Sequence, residues 1–162
     1  MPKIEISIEI DAPIEICFDL SRSIDLHRIS TSKTNEKAIS GVTSGLINLN
    51  ETVTWEATHF GFRQHLTSKI TAYNRPHSFV DEQSKGIFKS IFHLHEFQEI
   101  NGKVVMKDTF EFSSPYGILG KLFNFLVLTS YLKNFLMERN QVIKSYAETE
   151  KWKTVLAEKN YL

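Results

Sequence analysis

The chain has 162 residues, with nineteen Lys plus Arg against nineteen Asp plus Glu, and so no formal net charge. The absence of a basic excess argues against nucleic acid as a partner, and no polybasic segment is present to hold an anionic membrane. One cysteine, Cys17, excludes an intramolecular disulfide framework and a Cys-rich metal site.

The length suits one domain over residues 1–162 with a substantial core. Twelve Phe beside seven Gly and four Pro fit a packed globular chain. The N-terminus, MPKIEISIEI, places acidic residues among apolar ones and lacks the basic-then-apolar order of a signal peptide. Ile4, Ile6, Ile8 and Ile10 alternate with Glu5, Ser7 and Glu9, which predicts a strand with one buried face. Asp11 then caps a helix whose first turn holds Pro13. Ile14, Cys17, Phe18 and Ile24 have helical spacing, and residues 21–35 read as a second short helix fading into a loop. Cys17 on this apolar stretch reads as a small core residue.

A weak strand is expected near residues 38–42. Stronger strand patterns cover 52–59, 62–73, 78–83, 88–100 and 103–113, the last two joined by Asn101-Gly102, a strong hairpin signal. After Pro115, Ile118, Leu122, Phe125, Leu132, Leu136, Ile143 and Tyr146 follow steps of three, four or seven. They predict one long amphipathic helix over residues 117–147, buried on several sides in its first half. The apolar run 122–132 is too short for a bilayer, which takes ~20 residues. The chain therefore reads as soluble and cytoplasmic, with no stable membrane insertion. The order of elements is that of an α+β fold.

Side chains in a strand alternate, so turns set which residues share a face. A two-residue turn at Asn101-Gly102 pairs Phe97 with Met106, His95 with Asp108, and His93 with Phe110. A turn at Asn74-Arg75 pairs Ile70 with Phe79, Ser68 with Asp81, and Leu66 with Gln83. A turn at Phe60-Gly61 pairs His59 with Phe62 and Trp55 with Leu66, and it asks Phe60 to take a positive φ. Together these registers put Trp55, Phe62, Leu66, Phe79, Phe97, Met106 and Phe110 on the inner face. His59, Gln64, Asp81, Gln83, His93, His95 and Asp108 share it. Each unpaired buried polar group costs on the order of 2–7 kcal/mol, so these must be paired, wetted or used by a ligand. A sheet curled round the last helix, enclosing an amphipathic cavity, accommodates them.

Several stretches carry a family resemblance: Thr58-His59-Phe60-Gly61, Phe79-Val80-Asp81-Glu82-Gln83, His93-Leu94-His95-Glu96-Phe97, Met106-Lys107-Asp108, Pro115-Tyr116-Gly117-Ile118-Leu119-Gly120 and Arg139. The chain resembles the bacterial ligand-binding members of the START-like (SRPBCC) superfamily, which includes the Bet v 1-type helix-grip fold. The resemblance covers nearly the whole chain and is loose over residues 30–52. It implies a curved antiparallel sheet of about seven strands, two short helices after the first strand and a cavity against the long C-terminal helix. It also implies binding of lipids, sterols, polyketides or hormones, or cyclase and dehydratase chemistry.

The leading reading is a carrier or sensor for a small hydrophobic or amphipathic molecule, lipid-like or aromatic, with Trp55, Phe62, Phe97 and Phe110 placed to stack on a flat ligand. An alternative is a cyclase- or dehydratase-type enzyme in which Asp108 orients His95 as base. A third is an interaction module with a filled cavity, working through the apolar segment 123–128. His93-x-His95 with Asp81 or Asp108 also has metal-ligand character. That spacing is common, and the reading retains neither metal nor cofactor. The chain is expected as a monomer or weak homodimer.

Overall fold

Alternating isoleucines form the first strand, β1 (Lys3–Ile10), which lies antiparallel to the last strand rather than to its sequence neighbours. The computed structural model describes residues 1–113, 127–157, 160 and 161. Helices α1 (Ile14–Ser21) and α2 (Ile24–Ser30) carry the chain to the far edge of the sheet. There β2 (Lys37–Gly41) begins a run of antiparallel strands: β3 (Thr52–His59), β4 (Phe62–Asn74), β5 (Ser78–Lys85), β6 (Ser90–Ile100) and β7 (Lys103–Ser113). The spatial order is β1-β7-β6-β5-β4-β3-β2. Helix α3 (Thr129–Ala147) lies against the sheet, and the expected α+β, seven-stranded helix-grip architecture is present. Residues 114–126 lie outside the described residues. They include the expected helix start, the Pro115–Gly120 stretch and most of the apolar segment 123–128.

Local chemistry explains the elements. Helix α1 starts after Pro13, whose carbonyl accepts from the N–H groups of Ile16 and Cys17. Asp11 does not cap it as expected; its own N–H donates to Glu148 Oε1 at 2.9 Å, tying the end of β1 to the end of α3. Ser23 caps α2 by accepting from Leu26 N–H. Cys17 is fully buried, and that burial pushes its thiol up to about 12.

The Asn101-Gly102 turn has the expected register, with both residues at positive φ. Phe60 does take a positive φ, 52°, and pairs His59 with Phe62 as expected. Its ring packs 4.7 Å from that of Tyr131 on α3, which gives an awkward turn residue a place to sit. The β4–β5 connection differs from the expected two-residue turn. Asn74 pairs with Ser78 across Arg75-Pro76-His77, and a bulge lies between Ile70 and Ala72. Ile70 thus faces Asp81, and Ser68 faces Gln83. Beyond the bulge the slide is two residues, so Ile70, Ser68 and Asp81 keep their face; between the turn and the bulge it is three, and Tyr73, now opposite Phe79, packs on Phe18 at the inner face.

The inner face is layered. At one end Phe18 of α1 meets Phe79 and Phe97 edge-on, with Ile10, Val104, Met106 and Ile143 in the same cluster. At the other end Ile4, Ile6, Ile91, Phe110, Phe112 and Leu136 form a second cluster. Between them β6 and β7 contribute His93, His95 and Asp108. Helix α3 mirrors the order: Leu136, then Arg139 and Asn140, then Ile143 and Ala147 all face inward.

Buried Asp19 on α1 joins the helices to the rim. It accepts from Arg22 Nε (2.6 Å), Arg75 Nη2 (2.7 Å) and Tyr161 OH (2.6 Å), while Arg22 Nη1 donates to Ile47 O and Asn48 Oδ1. Burial raises the Asp19 carboxyl, but Arg75, Tyr161 and Arg22 outweigh it and hold it below the usual carboxylate range. We predict that Asp19→Asn lowers unfolding free energy by about 3 kcal/mol at pH 7, because it strands the buried Arg22. A depressed carboxyl stabilises the fold above its unfolded pKa of about 3.9 and stops doing so as pH falls through the folded value. The gap between wild type and variant should therefore be full at pH 6–7, taken as roughly two to three units above that pKa, and shrink below about pH 3.5. Urea titrations at several pH values check this, and a gap constant with pH would refute it.

Candidate functional site

The strand registers bring four titratable side chains into one patch. Asp81 on β5 lies opposite His93 on β6, and His95, two residues on, lies opposite Asp108 on β7. Asp108 is the deepest, with no solvent exposure. Its Oδ1 accepts from His93 Nε2 at 2.9 Å and its Oδ2 from Asn140 Nδ2 at 2.5 Å. His95 Nδ1 also approaches Oδ1 to 2.7 Å, but off the line of its N–H, as a close charge contact rather than an aligned hydrogen bond. The other nitrogen of each ring turns to Asp81. His95 Nε2 is hydrogen-bonded to Asp81 Oδ2 at 3.0 Å, and His93 Nδ1 stands 3.6 Å from the same oxygen.

Arg139 completes the patch from the helix. Its Nη1 lies 3.9 Å from Asp108 Oδ1 and its Nη2 donates to Ser21 O at 2.9 Å. The His93 and His95 rings lie 3.8 Å apart, and Phe79 stacks on His95 at 4.1 Å.

The electrostatics separate the two histidines. Burial lowers His93, and the neighbouring His95 lowers it further, beyond what its bond to Asp108 restores. Burial acts the same way on His95, but Asp108 and Asp81 outweigh it and raise it above the ordinary range. Both carboxyls would be raised by burial; contacts with the histidines hold Asp81 low and Asp108 well below the usual range. The same surroundings thus shift the two rings in opposite directions, His93 toward its neutral form and His95 toward its charged one.

A cavity of about 180 Å³ opens on this patch. Of the residues expected to line it, Trp55, His59, Gln64, Leu66, Phe79, Asp81, Gln83, His93, His95 and Phe110 do so. Four expected residues stand elsewhere. Phe62 is 72 % exposed, at the very start of β4 beside the turn. Phe97 and Met106 are buried in the core cluster beneath α1. Asp108 lies behind the two histidines and reaches the cavity only through them.

The helix side supplies Leu132, Phe135, Leu136 and Arg139, and Ile47, Val53, Ile70 and Ile91 complete much of the apolar wall. Gln83 Nε2 donates to Phe88 O at 2.7 Å, while Gln83 Oε1 has no hydrogen-bond partner among the described residues.

A second polar group on the cavity wall was not anticipated. Buried Glu36 receives His27 Nε2 at 2.6 Å and lies 3.7 Å from His59 Nε2. His59 Nδ1 meets the Tyr131 hydroxyl at 2.8 Å, and the His27 ring stacks on Trp55 at 4.2 Å. Glu36 stays below its usual range because His27 and His59 outweigh its burial, and burial lowers His59 despite Glu36. His27 and Glu36 sit in stretches without periodicity, so no sequence signal marked them. Asn140 was equally missed, although a polar Arg139-Asn140 step between Leu136 and Ile143 on a helix face was a visible sign.

No protein-family model matches the sequence, and no curated protein matches it either. Solved structures do. A Thermus thermophilus protein superposes with a TM-score of 0.70 at 12 % identity, over 90 % of this chain and 99 % of its own. Major latex-like protein 151 from Panax ginseng gives 0.68 at 16 % identity, over 91 % and 98 % of the two chains. A Mycobacterium smegmatis protein gives 0.65 at 17 %, over 88 % of each. This chain has the Bet v 1-like helix-grip fold. The expected resemblance therefore holds in architecture, and the Bet v 1-like cavity is where the buried charges meet free space.

The patch separates into a structural carboxylate and a cavity-facing one, since Asp108 is sealed and Asp81 keeps 24 % of its side-chain surface open. We predict that Asp108→Asn costs about 3–5 kcal/mol of stability, because it leaves His95 and Arg139 short of a buried counter-charge. Asp81→Asn costs less than about 2 kcal/mol, in keeping with a partly open pair. Paired urea unfolding curves check the order, and equal losses would refute it.

Proposed function

We propose that the chain binds a small amphipathic molecule in the helix-grip cavity, as a cytoplasmic carrier or sensor. The observation that carries this reading is a cavity whose walls are mostly apolar and whose floor is a hydrogen-bonded polar patch with Asp81, His93, His95 and Arg139. Such a site takes an apolar body and orients it by few polar contacts. Gln83 Oε1 offers an acceptor for a ligand hydroxyl or N–H.

Size narrows the class. An apolar cavity of about 150 Å³ holds benzene, so 180 Å³ suits a one-ring aromatic or a short acyl chain better than a sterol. The partly open Asp81 carboxylate on the cavity wall favours a neutral polar head over an acid. No described helix is long and apolar enough to cross a membrane.

One observation supports an enzymatic second reading of the cyclase or dehydratase type. The His93 and His95 rings stand 3.8 Å apart on one cavity wall, one shifted down and the other up from the ordinary range, the divergence an acid and base pair needs. His95→Ala separates the two: it retunes affinity in a carrier and abolishes turnover in an enzyme.

Binding is tested with phenol, benzyl alcohol, benzoate and hexanoate against the emission of Trp55, with native mass spectrometry for anything that co-purifies. The expected result is saturable binding of the neutral aromatics, weaker binding of the anions, and loss of at least ~10-fold in affinity on Ala57→Phe, which fills the cavity at an overpacking cost of about 1–3 kcal/mol. A folded wild type that binds none of these probes and carries no small molecule would overturn the reading.

A further inference from the structure

The cavity wall holds a donor set whose spacing and backing suit a metal ion. His93 Nδ1, His95 Nε2 and a carboxylate oxygen of Asp81 lie within 4.8 Å of one another. Two of the separations are 3.0 and 3.6 Å, both measured to Asp81 Oδ2. Ligand bonds of about 2.0–2.1 Å in a tetrahedral arrangement place donors about 3.3 Å apart, so the set needs only small side-chain movements to close on an ion.

The rear of the site is the more telling part. Behind the histidines lies one carboxylate, Asp108, hydrogen-bonded to His93 Nε2 at 2.9 Å and in close charge contact with His95 Nδ1 at 2.7 Å. Metal-ligating histidines generally have such a partner, which fixes the ring and raises its basicity. Asp108 is itself fixed by Asn140 from α3. At the front, His93 Nδ1 faces Asp81 Oδ2 at 3.6 Å, beyond hydrogen-bond length, and Asp81 keeps part of its side chain open to the cavity.

We propose that Asp81, His93 and His95 form a site for a divalent transition cation of the zinc type, with Asp108 as the shared outer partner of both histidines. Two nitrogens and one carboxylate oxygen suit zinc and its borderline neighbours better than calcium or magnesium, which favour all-oxygen sets. All three ligands line the cavity, so the remaining coordination positions face the space a small molecule would occupy. The proposal goes beyond the ligand reading and stands without it, since the ion needs only protein groups and water.

The test uses the full chain after dialysis against a chelator, titrated at pH 7 with Zn²⁺ by calorimetry and with Co²⁺ by visible absorption. One Zn²⁺ per chain is expected, with Co²⁺ bands of a low-coordinate site that Zn²⁺ bleaches. Asp81→Asn and His93→Gln should each weaken Zn²⁺ by at least ~10-fold, the loss that removal of even an outer partner brings. Should His93→Gln fail to fold, Asp81→Asn decides, its metal-free urea midpoint confirming a folded chain. Glu36→Gln, which alters only the second histidine group, should leave the titration unchanged. Absence of stoichiometric binding in wild type, or binding that Asp81→Asn keeps in full or Glu36→Gln removes, would overturn the proposal. None of these titrations contains an aromatic probe, so failure here leaves the ligand reading standing and failure of that reading leaves this one.

Discussion

A carboxylate buried without solvent contact is tolerable only if every neighbour is arranged around it, and Asp108 imposes that demand here. His93 and Asn140 donate to it, and His95 and Arg139 bring positive charge within 2.7 and 3.9 Å. Removing one member of such a set strands the others at a cost of several kcal/mol. The demand fixes the sheet and the helix together. Two partners come from β6, and two come from one turn of α3, so the helix can seat in only one axial position and one rotation. The apolar layers above and below then follow, because Leu136 and Ile143 on either side of Arg139-Asn140 meet the matching apolar clusters of the sheet.

The cavity is the counterpart of that seating. Helix α3 packs on β1, α1 and α2, and a cavity remains between it and the wall formed by β3, β4 and β5. The space between is lined by Val53, Trp55, Leu66 and Ile70 on the sheet and Leu132 and Phe135 on the helix. A polar layer shared by a sheet and a helix would ordinarily be sealed. Here Asp81, on the next strand over, extends it past the helix edge and exposes it to the space. One network thus has a buried half that holds the fold and an open half available for chemistry, and the histidines belong to both.

The helix-grip fold supplies the container, and it serves unrelated tasks in different chains, so the task must be read from the side chains at the floor of the cavity. Those side chains are two histidines between two carboxylates, with an unpartnered amide oxygen at Gln83 nearby. An inert core would have replaced such a layer with hydrophobic residues of similar volume, often at no loss of stability. Glu36, His27 and His59 add a second polar contact on the wall, built from the α2–β2 region where the sequence has no regular period.

The sequence by itself determined the strands, their inward faces and most of the polar set. Period-two alternation is a local property, and the Asn101-Gly102 turn converts it directly into the His95–Asp108 pairing. Beyond the unforeseen bulge near Ile70 a slide of two residues changes partners and leaves faces intact, whereas between the bulge and the turn the parity flips and Tyr73 turns inward. Only the tertiary structure decided which inward residues meet free space. Phe62 and Phe97 share the parity of Trp55, yet one is exposed beside the Phe60-Gly61 turn and the other lies beneath α1. The physical reason is that parity carries no information about the distance to the opposite layer, which is set by where Arg139 and Asn140 meet Asp108. The protonation of the histidines was decided there as well. A register can place His95 opposite Asp108, but whether its ring is base or imidazolium depends on Asp81, which reaches it from a third strand.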